Sequence, residues 1–98
     1  MHTLDDIKEK LESMMPYIRN QYSVCEIGIF GSYIRNDQNE ASDLDIIVSF
    51  NEAPSLFKFV ELENYLSDNL NIKVDLVMKK ALKDHLKAPI LKEVLPIS

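Results

Sequence analysis

Asp43 and Asp45 head an apolar run, Asp43-Leu44-Asp45-Ile46-Ile47-Val48-Ser49-Phe50, and the alternation in it constrains the fold more than any other segment. Successive side chains of a strand point to opposite faces. Leu44, Ile46, Val48 and Phe50 therefore form one wholly apolar side, while the other begins with two acids. Such a strand needs a core behind it and an open site in front. Residues two apart on a strand are spaced ~6.6 Å along it, and the two Mg²⁺ ions of a catalytic pair sit ~3.5–4 Å apart. Asp43 and Asp45 can straddle both ions.

A third acid repeats the pattern in Ile72-Lys73-Val74-Asp75-Leu76-Val77-Met78-Lys79, where Ile72, Val74, Leu76 and Met78 form the apolar set and leave Asp75 on the other face. If this strand lies beside the first, Asp75 comes within about one strand spacing, ~4.8 Å, of the Asp43/Asp45 pair. Unit charges ~5 Å apart at an effective dielectric of ~20 repel by about 3 kcal/mol. Hard divalent cations with oxygen ligands relieve that repulsion, and Mg²⁺ fits because it fills its octahedron with waters and substrate phosphates. Three Asp without His or Cys nearby argue against zinc. Lys73 shares the acid-bearing face and is expected to be solvated or paired with an Asp.

The segment Val24-Cys25-Glu26-Ile27-Gly28-Ile29-Phe30 reads as another strand, with Cys25 as a small buried side chain. Gly31 at its end lets backbone approach a ligand that a Cβ would block. Ser32 is expected as a helix N-cap whose hydroxyl and neighbouring N–H groups hold a phosphate, and Arg35 faces the same way one turn on.

In this order, Gly31, Ser32, Arg35, Ser42, Asp43, Asp45 and Asp75 resemble the motifs of the DNA polymerase beta-like nucleotidyltransferase superfamily, and of its smallest branch, the minimal nucleotidyltransferases. The resemblance spans about three quarters of the chain. It implies catalytic and metal-binding roles for Asp43, Asp45 and Asp75 with two Mg²⁺ ions, and nucleotide binding by Gly31, Ser32, Arg35 and Ser42. Many members place Gly after the Arg where this chain has Asn36, one of the few other residues that tolerate a left-handed backbone.

Elsewhere, Thr3 can cap a helix with Asp5 and Asp6 in its first turn and an apolar stripe Leu4, Ile7, Leu11, Met14, Ile18 and Tyr22. Pro16 predicts a break near Met15 and a short second helix. Ser55 caps a helix of about fifteen residues carrying Leu56, Phe59, Leu62, Leu66 and Leu70, long enough to cross between two parallel strands. The tail from Ala81 to Leu95 reads as a further helical stripe broken by Pro89. The expected fold is α/β (α+β): a small mixed sheet with helices packed on one face, in the order α-β-α-β-α-β, as one domain over residues 1–98.

Only one of the 98 residues is Cys, so an internal disulfide is excluded and a reducing cytoplasm is the expected location. No stretch approaches the ~20 apolar residues that span a bilayer, and the N-terminus shows no signal peptide core. His2 and His85 read as surface residues. The net charge of −5 disfavours unaided binding of long nucleic acid, which relies on Lys and Arg.

The resemblance therefore implies transfer of AMP from ATP, a nucleoside triphosphate, to a protein hydroxyl. Minimal nucleotidyltransferases of this kind pair with a HEPN-type ribonuclease toxin, modify one of its tyrosines and act as its antitoxin. The competing expectations are an antitoxin that neutralises by binding alone and transfer to a small-molecule hydroxyl.

Overall fold

In the computed structural model, which describes residues 3–39 and 41–97, the Thr3 hydroxyl accepts the Asp6 N–H at 3.1 Å and starts helix α1 (Leu4–Tyr22). The expectation for His2 lies outside the described residues. α1 runs through Pro16 without the expected break. Proline costs a helix interior about 3 kcal/mol, but Ile7, Leu11, Met14, Met15, Ile18 and Tyr22 are buried on both sides of it. At roughly 1.5–3 kcal/mol per buried side chain, their packing outweighs the loss and keeps the two halves in line.

Four strands follow: β1 (Val24–Phe30), β2 (Leu44–Phe50), β3 (Val74–Met78) and β4 (Leu95–Ile97), in the sheet order β3-β2-β1-β4. β1 is antiparallel to β2 and to β4, and β2 is parallel to β3. The mixed sheet is as expected, with the apolar sets of β2 and β3 against α1 and the crossover helix α3 (Leu56–Leu70). Ser55 caps α3, its hydroxyl accepting the Lys58 N–H at 3.1 Å. Leu62, Leu66 and Leu70 are fully buried, whereas Leu56 is 79% exposed, because the first turn precedes the part of the helix that packs.

β3 is an edge strand, and an edge exposes unpaired backbone donors. Two side chains of α3 cover them: Ser67 Oγ accepts the Val74 N–H at 3.0 Å and Glu63 Oε2 accepts the Leu76 N–H at 2.9 Å. The strand that carries Asp75 is thereby fastened on both sides.

Three further expectations are corrected. Cys25 is exposed, because a bulge between Val24 and Glu26 inserts one residue and turns both Cys25 and Glu26 outward before Ile27 regains the core. Pro89 sits inside an unbroken helix α4 (Asp84–Glu93), which follows a short 3₁₀ turn (Lys79–Ala81) and buries no residue completely. On so exposed a helix the donor missing at Pro89 leaves its partner carbonyl open to water. Leu95 belongs to β4, which extends the expected order by a strand. Short helix α2 (Ser32–Arg35) lies between β1 and β2. α1, α2 and α3 all stop at left-handed residues, Ser23 at φ 56°, Asn36 at 60° and Asn71 at 56°. No helix among the described residues is long and apolar enough to cross a membrane.

Val94, just past α4, closes over Gly28 so tightly that a Cβ there would stand 2.5 Å from its Cγ1 and 3.2 Å from the Leu95 carbonyl oxygen. Gly28→Ala should therefore cost about 1–3 kcal/mol through overpacking against β4. A lowered urea midpoint at unchanged m-value is the expected reading.

Candidate active site

β1 places Phe30 opposite Asp45, and Asp45 lies opposite Asp75 in the parallel register of β2 and β3. Paired residues of neighbouring strands share a face. Asp45 and Asp75 therefore stand side by side on the side of the sheet away from the core, and Asp43, one residue ahead of β2, continues the alternation. Asp43 and Asp45 are half-buried and Asp75 is exposed.

Gly31 follows β1 at φ +84°, a conformation that favours glycine. The Asp45 carboxylate packs against its Cα, in space that a Cβ would occupy. Backbone and neighbour thus require glycine independently. Gly31 also takes the cap position of α2 that the sequence suggested for Ser32; Ser32 is the first helical residue, and no side chain caps the turn. Asn36 adopts the left-handed conformation expected of it.

Crowding of acids sets the electrostatics. Burial, then the Asp75 and Asp43 carboxylates, push the Asp45 carboxyl from 3.8 up to about 6, with Arg35 opposing and Glu93 adding. As the side chains stand, no three His, Cys, Asp or Glu among the described residues close around a point that would hold an ion. The expected ligands share one face without being drawn together. Their all-oxygen donor set and the reluctance of Asp45 to ionise fit a hard divalent cation, which would favour the charged form. Lys73 Nζ lies 3.9 Å from Asp43 Oδ2 in an exposed pair of small energetic weight.

The remaining expected residues divide. The Ser42 hydroxyl accepts the Asn39 N–H at 2.9 Å and shapes the loop before β2. Arg35 donates from Nη1 to Glu93 Oε1 at 2.9 Å and from Nε to Asp37 Oδ2 at 3.4 Å, and these bonds, Glu93 first, raise its pKa. Glu93 Oε2 also accepts the Gly31 N–H at 2.9 Å. Sequence reasoning missed Glu93. It reads as one polar residue of a surface helix, and only the docking of β4 on β1 brings it here.

Comparison with known proteins places this geometry. The family model for the polymerase beta nucleotidyltransferase domain matches residues 12–97. The protein adenylyltransferase MntA of Thermococcus cleftensis is 48% identical over 94 residues, covering 96% of this chain and 95% of that protein. A solved structure provisionally assigned as a minimal nucleotidyltransferase superposes with a TM-score of 0.83 at 27% identity, over 98% of this chain and 97% of its own. A structure of the tri-AMPylated Shewanella oneidensis HEPN toxin in complex with MNT antitoxin shares the fold, with a TM-score of 0.65 at 22% identity over 91% of this chain and 70% of that one.

The raised Asp45 pKa has a definite sign. Below about pH 4 its carboxyl is neutral whether the chain is folded or unfolded; between 4 and 6 the unfolded chain ionises first, so folding loses stability as pH rises, and the full penalty holds above 6. In magnesium-free buffer Asp45→Asn should stabilise the fold at pH 7.5 by about 1 kcal/mol, after discounting for solvent. That corresponds to roughly 4–8 °C in Tm. Thermal melts at both pH values should show the gain vanish near pH 4.

Proposed function

The chain belongs to the polymerase beta nucleotidyltransferase family, and on that footing we propose that it acts as one domain, in the cytoplasm, to transfer AMP from ATP to a tyrosine hydroxyl of a HEPN-type ribonuclease toxin, as its antitoxin. The relationship to the adenylyltransferase of Thermococcus cleftensis supports the choice of AMP and of a protein acceptor, and the HEPN complex of the same fold supports the partner. The observation that carries the reading is the row Asp45–Asp75 beside Gly31, where a crowded carboxyl at about 6 stands against a bare Cα.

In this reading Asp43, Asp45 and Asp75 are the residues that would hold the two Mg²⁺ ions. Bound there, the ions supply charge neutralisation and lower the pKa of the acceptor hydroxyl. The Gly31–Ser32 turn and Arg35 hold the β and γ phosphates, which fixes the α-phosphorus for in-line attack. The acceptor oxygen forms a bond to that phosphorus, the bond to the bridging oxygen breaks, pyrophosphate leaves with the electron pair, and the hydroxyl proton passes to solvent. No side chain forms a covalent intermediate. Positioning and charge carry the rate, as in other phosphoryl transfers.

Asp43→Asn should keep the far-ultraviolet spectrum of the folded chain and lower label transfer from α-labelled ATP to the co-expressed toxin by about a hundredfold or more, the cost of weakening a metal ligand. Chelation of magnesium should stop transfer in the parent protein, and added magnesium should restore it. Undiminished labelling by the variant excludes the metal role. Rescue of toxin-expressing cells by a variant with all three Asp changed to Ala indicates an antitoxin that works by binding alone.

A further inference from the structure

Glu93 lies far from the motif in sequence, yet its position follows from strand register. Ile97, Pro96 and Leu95 of β4 pair with Ile27, Gly28 and Ile29 of β1. Glu93 ends α4 two residues before Leu95, so the Leu95–Ile29 pairing sets it beside Gly31. Its carboxylate, 19% exposed, then spans two groups: Oε2 takes the Gly31 N–H and Oε1 takes Arg35 Nη1, each at 2.9 Å.

Both belong to the turn and the cation to which the proposed reaction assigns the triphosphate. A buried amide without a partner would pull the turn toward other conformations. An Arg side chain 55% exposed, with Asp37 beside it, would sample many rotamers. Glu93 answers both with one planar carboxylate. Among the described residues Arg35 Nη2 has no partner, so the fork is held at Nη1 and Nε while its remaining donors stay available.

We propose that Glu93 is a positioning residue for nucleotide binding: by bridging the Gly31 N–H and the Arg35 guanidinium, it fixes the turn and the cation in the arrangement that receives the triphosphate. This rests on the functional reading above, but its measurement does not require turnover. Glu93→Gln retains an oxygen acceptor for the Gly31 N–H and removes the charge that holds Arg35.

The test is calorimetric titration of the purified chain with magnesium-ATP, alongside transfer kinetics with the co-expressed toxin. Glu93→Gln should raise the Kd about tenfold, the scale of losing one charge-assisted contact, with KM rising in step. In an Arg35→Ala background the same substitution should change Kd little, because the cation it positions is gone; a purely structural latch would lose the same amount in both backgrounds. Glu93→Asp should recover part of the loss.

An unchanged Kd in Glu93→Gln, or equal losses in the two backgrounds, overturns the proposal. A lowered Kd overturns it too, and shows Glu93 competing with phosphate for the turn. If the parent protein binds ATP but transfers nothing, the functional reading falls and the Kd comparison still decides the role of Glu93. If it binds no ATP, both fall.

Discussion

Contact between the Asp45 carboxylate and the bare Cα of Gly31 is the constraint on which the rest of this structure depends. It joins two motifs from separate strands into one site, because β1 and β2 are adjacent and Phe30 pairs with Asp45. The backbone at Gly31 turns away from the sheet only at a positive φ, and that turn opens the space the carboxylate fills. A side chain at position 31 would displace Asp45, and with it the charge balance that Arg35 and Glu93 maintain. Burial at this contact is also the largest cause of the raised Asp45 pKa.

The support around the site is largely indirect. Glu63 and Ser67 satisfy the outer donors of β3 at Leu76 and Val74, on either side of Asp75, and so hold the level of Asp75. β4 does the equivalent work at the opposite edge, where it presses Val94 onto Gly28 and delivers Glu93. Each half of the site is thus braced from the sheet edge nearest to it.

What could be read from the sequence follows the range of the interactions. Asp45 and Asp75 were legible because strand alternation is a local rule, and it holds at the acid-bearing starts of both strands, where Leu44, Ile46, Val74 and Leu76 are buried and the acids between them are not. The caps at Thr3 and Ser55 were legible for the same reason. Cys25 was misread because a bulge breaks the alternation, and the choice to bulge lies in the pairing with β2. Local chemistry makes Pro16 and Pro89 helix breakers, but packing on both sides outweighs the first and the second lies on an exposed helix. Glu93 and β4 were invisible, since Leu95-Pro96-Ile97 is too short to carry a pattern and its register exists only once β1 is in place.

The chain has two glycines, and both serve close approaches, Gly28 beneath Val94 and Gly31 beneath Asp45. Helix termination is therefore left to Ser23, Asn36 and Asn71, whose left-handed backbones are strained relative to glycine. Ser23 lies at the end of β1 away from the acids, beside Asn51, so relaxing it leaves the chemistry alone. The scaffold thus keeps a margin for adaptation to hotter environments, reachable by a single change at a helix end.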